Sequence, residues 1–231
     1  MLRSVGWPTL LVAGGAFLLP FDGVFANWLN ADRIDGDLRR FFELTEFFAH
    51  GVGITFILLA TWVLAREQRH RLPRVIFGIL TSSLIVHTIK ISVMRIRPGR
   101  FYEIPDSFST TWISLCSWAD ASTSYVINSE HFSQSFPSGH SAAVSALAVG
   151  LIWLLGRGRI LFASMAVLGC LQRILFHAHW PSDVLIGAAI GVATMTWFTR
   201  SRMANSMFRK WETNRLSSIT KDIPIQDRNA A

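Results

Sequence analysis

Three short clusters hold most of the side chains able to do chemistry in this chain. The first, Lys90-Ile-Ser-Val-Met-Arg-Ile-Arg97-Pro98, supplies cations. Lys90 and Arg97 are seven residues apart, two turns of a helix, so both point from one helical face. Pro98 disfavours helix at the residue before it and sets Arg97 at a helix end. The second cluster is Phe136-Pro137-Ser138-Gly139-His140-Ser141. Ser138 suits an N-cap, Gly139 lets backbone approach a ligand closely, and the free amides of a helix start bind anions. His140 then stands beside any anion bound there. The third is Arg173-Ile-Leu-Phe-His177-Ala-His179-Trp-Pro-Ser-Asp183. His179 and Asp183 are four apart, close enough for the carboxylate to hold one imidazole nitrogen. That bond fixes the tautomer and leaves the other nitrogen as base or nucleophile. A metal site of His177, His179 and Asp183 is disfavoured, because the two histidines diverge on a helix and no Cys or Glu cluster completes the shell. Singly, each cluster has an ordinary reading: Lys90 snorkels to headgroups, Ser138 merely caps, and Arg97 flanks a helix. Together they offer three cations, neutral donors, two histidines and one carboxylate. Such a set suits a tetrahedral oxyanion, most simply a phosphate, whose charge grows toward the transition state.

The elements that must position these groups are six apolar segments: Val5–Phe21, Phe47–Ala65, Val75–Met94, Ser138–Leu155, Ile160–Phe176 and Val184–Thr199. A helix needs about 20 apolar residues to span a bilayer, with a range near 17–25. All three clusters fall at the same ends of the third to sixth segments, at one depth. The composition agrees, with 51% hydrophobic and 16% charged residues against about 25% charged in a soluble domain. Disorder, a collagenous repeat and a disulfide scaffold are excluded by it. Cys116 and Cys170 fit no metal or redox spacing. Recurrent small residues (Gly139, Gly150, Gly187, Ala188, Ala189, Gly191) suit close helix packing in lipid.

Charge sets the orientation. With a cytoplasmic N-terminus and alternating segments, 14 of the 22 basic residues lie inside and 11 of the 15 acidic ones outside. The net charge of +7 is thereby a topology signal, and no nucleic-acid partner is implied. The first segment is expected to be an uncleaved helix, since no Ala-x-Ala-like site follows closely. Residues 1–200 are expected to form one membrane-embedded domain with its core at 45–200, and 201–231 a polar cytoplasmic tail, helical and frayed at first and then disordered.

In order, internal spacing and membrane placement, Lys90-x6-Arg97-Pro98, Pro137-Ser138-Gly139-His140 and Arg173-x5-His179-x3-Asp183 resemble the three motifs of the type 2 phosphatidic acid phosphatase superfamily, which also includes the vanadium haloperoxidases. The likeness covers about residues 45–200. It departs at Gln172, where the third motif usually begins Ser-Arg. The resemblance implies an all-α, polytopic bundle of six transmembrane helices with its active site at the outer membrane–water interface. It implies that His179 is a nucleophile forming a phosphohistidine, oriented by Asp183. His140 becomes the general acid, and Lys90, Arg97 and Arg173 clamp the phosphate with Ser138 and the Gly139 amide. No metal or cofactor is implied.

The expected activity is hydrolysis of a lipid phosphate or diphosphate, such as phosphatidic acid, phosphatidylglycerophosphate, undecaprenyl diphosphate or a lipid A phosphate. The expected setting is a bacterial cytoplasmic membrane, with both termini cytoplasmic and the site periplasmic. Partners are the phosphorylated lipid and the surrounding bilayer. The alternatives are phosphotransfer to an acceptor other than water and, less favoured, a catalytically degenerate binding protein. The haloperoxidase branch, whose members are soluble, fits six apolar segments poorly. The 99–137 loop, with Phe101, Tyr102, Trp112 and Trp118, is expected to shape headgroup access. Glu43, Glu46, His50 and His87 have no role assigned by sequence.

Overall fold

A computed structural model describes residues 2–101, 112–113 and 134–221. Among these residues ten α-helices follow in chain order: α1 (Leu2–Leu18), α2 (Asp22–Trp28), α3 (Gly36–Ala49), α4 (Gly51–Leu64), α5 (Leu72–Ser92), α6 (Pro98–Phe101), α7 (Gly139–Leu155), α8 (Arg159–Leu175), α9 (Pro181–Arg200) and α10 (Arg202–Lys221). A two-residue antiparallel ladder pairs β1 (Met94–Arg95) with β2 (Trp112–Ile113). Tyr102 and Trp118 of the expected aromatic loop lie outside the described residues, as does Cys116.

All six apolar segments are helical, in α1, α4, α5, α7, α8 and α9. Three stretches are long and apolar enough to cross a membrane, Gly6–Arg33, Arg66–Ser92 and Pro181–Arg200, and the α3–α4 pair supplies a fourth if taken as one bent span. By that criterion the count of six is not reached. The reason is length: α7 and α8 have 17 residues each, about 25 Å at 1.5 Å per residue against a hydrocarbon core of about 30 Å. The surface is nevertheless that of a protein in lipid, with Leu64 and Ile160 more than four-fifths exposed and Trp7, Leu84 and Val24 turned outward.

The second segment is not one straight span. It begins in the last turn of α3, and the chain bends by 68° at His50 before α4. His50 is extended (φ −82°, ψ 143°), and its Nδ1 accepts the Val52 amide at 3.3 Å as the cap of α4. A Cβ on Gly53 would lie 1.7 Å from the Phe47 carbonyl oxygen, so glycine permits this bend.

Helix α9 is the hub, packed on α1, α5 and α7. Gly187 and Gly191, one turn apart, press against α7. Their Cβ atoms would stand 2.3 Å from the Ser138 carbonyl oxygen and 2.1 Å from that of Ala142. This small-xxx-small contact brings the third cluster against the second. Below it Val75, Ile79, Leu147, Leu151, Met195 and Phe198 form the apolar core. Helix α10 turns back along the bundle. Ala204 and Phe208 are buried, and the buried Arg74 guanidinium donates to Asn205 at 2.6 Å and to Glu212 at 2.8 Å.

Candidate active site

Helix α5 stops at Ser92, short of the helical continuation to Arg97 expected from the sequence. Val93 is extended (φ −128°, ψ 108°) and β1 follows. Arg97 therefore reaches the site from an irregular segment, and the shared helical face predicted for Lys90 and Arg97 is corrected. The competing pull is strand pairing: Arg95 sits opposite Trp112 on one side and bridges Gln134 on the other. Lys90, on the last turn of α5, donates from Nζ to the Gln134 carbonyl at 2.6 Å.

Ser138 caps α7 as predicted. It is fully buried, and its Oγ accepts from the Ser141 amide at 3.3 Å and the Ser141 hydroxyl at 2.8 Å. Its own amide donates to the Asp183 carbonyl at 3.0 Å, which joins the second cluster to the third. Gly139 and His140, at the start of α7, line the cavity described below. The His140 ring stands 6.2 Å from that of His50, centroid to centroid.

The spacing of the third cluster folds the chain back on itself. The Arg173 carbonyl, near the end of α8, accepts from the amides of both Ala178 and His179 at 3.1 Å. His177 makes the turn at φ +51°, and its carbonyl accepts from Gly99 at 3.0 Å. Its Nε2 lies 2.9 Å from the Ala26 carbonyl, so this nitrogen is the donor and the ring points away from His179. Pro181 opens α9, where the missing amide costs nothing.

His179 is 2% exposed. Its Nδ1 is 2.7 Å from the Ser135 carbonyl, whereas Asp183 Oδ2 is 3.9 Å away, beyond hydrogen-bond range. The prediction that Asp183 bonds this ring is corrected: the tautomer is fixed by a backbone carbonyl. A carbonyl only accepts, so Nδ1 carries the hydrogen and the Nε2 lone pair is free. Asp183 is engaged elsewhere. It binds Arg95 Nη1 and accepts from the Ser135 hydroxyl at 2.5 Å and the Trp180 amide at 3.2 Å.

Cations surround His179. Burial first, then the charges of Lys90, Arg97 and Arg173 and the ring of His140, hold its imidazole well below the usual pKa of 6.5. Burial, and then the charge of Arg173, lower the Arg97 guanidinium from its ordinary value, with Asp183 partly opposing. Nε of Arg97 and Nε of Arg173 are both buried without a hydrogen-bond partner among the described residues. Unmet buried donors beside converging positive charge mark a place for an anion.

Glu46, unassigned by sequence, accepts from Arg173 Nη1 at 2.6 Å and from Gln172 Nε2 at 3.3 Å. Gln172 thus helps hold the carboxylate that holds Arg173. Arg95, Asp22, Ser135 and Ser182 were missed. Arg95 stood inside the first cluster, and Asp22 is an acid directly after an apolar run, so both left a trace. Ser135 acts through its carbonyl, which sequence does not display.

From Lys90 and His140 an apolar groove of about 540 Å³ runs between α4, α5 and α7, past Ile54, Leu58, Ile79 and Ile76. It takes in Ser83 and His87 on the way, which gives His87 a place on its wall.

A family model described as the PAP2 superfamily matches residues 71–207. The chain is 30% identical over 123 residues to a lipid A 1-phosphatase of Rhizobium johnstonii, covering 53% of this chain and 43% of that protein. A lipid A 1-phosphatase of Rhizobium etli is 31% identical over 121 residues, covering 52% and 44%. The match thus spans less than half the length of these relatives. In fold, the chain resembles Aquifex aeolicus LpxE, with a TM-score of 0.51, 20% identity, and coverage of 74% of this chain and 89% of that one. It also resembles a PAP2-type phosphatidylglycerolphosphate phosphatase from Bacillus subtilis, with a TM-score of 0.57, 17% identity, and coverage of 91% and 98%.

Proposed function

The chain belongs to the PAP2 superfamily, and from that premise we propose that this integral membrane protein is a phosphatase that removes a phosphate group from a membrane lipid through a phosphohistidine. One observation carries the reading. The charges of Lys90, Arg97 and Arg173 bear on His179, and Lys90 also lines an apolar groove together with Gly139 and His140, which favours a phosphate carried on a hydrocarbon.

Lys90, Arg97 and Arg173 take the phosphate oxygens, with the Gly139 amide at the start of α7 and Ser138 seated beneath it. The His179 Nε2 lone pair forms a bond to phosphorus as the P–O bond to the lipid breaks, and His140 gives its proton to the departing oxygen. Water then attacks phosphorus and returns a proton to His140. The P–N bond breaks, releasing inorganic phosphate and restoring the lone pair. The positive charge that a metal supplies in other phosphatases is provided here by three side chains. The names of the Rhizobium relatives put a lipid A phosphate first among candidate substrates. Residues 1–200 act as one domain, with the site on the periplasmic side of a bacterial inner membrane and both termini in the cytoplasm.

The test is phosphate release by detergent-purified protein, with EDTA present, from lipid A, phosphatidic acid, phosphatidylglycerophosphate and undecaprenyl diphosphate. His179→Ala should abolish release, and Arg97→Ala should lower kcat by about 10²–10³-fold, as removal of an oxyanion donor does. Release undiminished in folded His179→Ala would refute the phosphohistidine route, and release abolished by EDTA would refute the metal-free one.

A further inference from the structure

We infer that Asp22 and Arg95 are positioning residues for His179, so that the α1–α2 corner completes the active site. The inference rests on the phosphatase reading above and adds a part of the chain outside the matched residues 71–207, since Asp22 precedes them.

Asp22 opens α2 and is 3% exposed. Its Oδ1 accepts the Ser182 amide at 2.9 Å. Its Oδ2 accepts from Arg95 Nη2 at 2.6 Å and also from the Ser182 hydroxyl. Arg95 Nη1 donates to Ser182 Oγ at 2.8 Å and to Asp183 Oδ1, and the guanidinium carbon lies 5.4 Å from the centre of the Trp180 ring. One guanidinium thus joins two buried carboxylates from opposite ends of the chain.

Two routes run from it to the nucleophile. On the first, Arg95 holds Asp183, and Asp183 holds the Trp180 amide, the residue next to His179. On the second, the Arg95 carbonyl accepts the Ser135 amide at 2.9 Å, while the Ser135 carbonyl takes the His179 Nδ1 hydrogen at 2.7 Å. The Ser135 hydroxyl on Asp183 closes the two routes into a ring. Each link is buried, which makes it costly to leave unmade. Helix α1 carries Asp22 there because it packs along α9, where a Cβ on Gly15 would stand 2.8 Å from Ile186. Neither Asp22 nor Arg95 is among the groups proposed to touch the phosphate.

This arrangement predicts a specific kinetic pattern. Asp22→Asn keeps the volume and the Oδ1 acceptor but replaces the oxygen that receives Arg95 and the Ser182 hydroxyl. We expect kcat to fall about 10–100-fold, as for partners that orient a reacting group from behind. KM and the affinity for inorganic phosphate, measured by calorimetry, should stay at wild-type values, because the clamp is intact. Arg95→Lys should show the same split, and the double variant should lose little more than the worse single one. Ser182→Ala removes the hydroxyl that both residues hold and serves if Asp22→Asn fails to fold. Asp32→Asn, an exposed acid on the same segment, is the control expected to match wild type.

Wild-type kcat in folded Asp22→Asn and Ser182→Ala overturns the positioning role and leaves the phosphatase reading standing. A rise in KM or weakened phosphate binding equal to the whole loss also overturns it. A wild-type protein that releases no phosphate from any lipid overturns both.

Discussion

At the scale of single residues, the electrostatics of His179 make a sharp statement. Its pKa is lowered, so the ring sheds its proton at lower pH than a free imidazole, and the neutral nucleophile is already formed at 6.5. The acid limb of the kcat/KM profile, which reports the free enzyme, should therefore lie below pH 6.5, while loss of the His140 proton sets the alkaline limb. A midpoint at or above 6.5 on the acid side would show that the surrounding cations do not act on the ring as described. Of the eight residues singled out in sequence, the cations, histidines and carboxylate stand out in an apolar chain by type and spacing, and Ser138 and Gly139 by their place at a helix start. What escaped was how they are held. The tautomer of His179 is set by the carbonyl of Ser135, and every residue has a carbonyl. Asp183 was correctly seen as near the ring, but its bonds go to Arg95, Ser135 and Trp180.

At the scale of elements, the site depends on how closely α7 and α9 approach. Gly187→Ala would push a methyl to within 2.3 Å of the Ser138 carbonyl, and Gly191→Ala to within 2.1 Å of that of Ala142. Both contacts are with backbone, which cannot swing aside. We expect each to lower the thermal midpoint in detergent by several degrees, corresponding to about 1–3 kcal/mol of overpacking. Gly187→Ala should also lower phosphatase activity more than Gly191→Ala, because it displaces the cap of α7. Gly6→Ala on α1, where nothing lies within 4 Å, should be neutral or slightly stabilising through helix propensity. Either glycine variant melting like wild type would mean the helices are not in the contact described. The apolar runs announced these helices by length and hydrophobicity. The break at His50 was not announced, because Phe47–Ala65 carries no formal charge and the bend depends on the missing side chain of Gly53 against the Phe47 carbonyl. The early stop of α5 was hidden too, since Val93 and Met94 continue the apolar run, while Met94 and Arg95 pair with distant Ile113 and Trp112.

At the scale of the whole molecule, the distribution of charge predicts which parts face which compartment. In a background with Cys116 and Cys170 replaced by Ser, Asp37→Cys in the first turn of α3 should react with an impermeant maleimide from the periplasm. Met207→Cys on α10 should react only once the inner membrane is opened. Both side chains are well exposed, so labelling on the reversed sides would invert the proposed topology. The general architecture was legible because a bilayer leaves so few options for apolar runs. The number of crossings was less so: α7 and α8 have 17 residues each, short of a full bilayer span. The groove between α4, α5 and α7 has a thermodynamic consequence for a lipid phosphatase. Its apolar walls lead one way, into hydrocarbon, and its charged mouth meets the headgroup zone. The two products of a turnover therefore leave into different phases, the alcohol dissolving sideways in the bilayer and the phosphate diluting into water. The reverse reaction would require both to meet again across that boundary. Directionality comes from partition as well as from the bond that is cleaved, and the enzyme need not bind either product weakly to keep going forward.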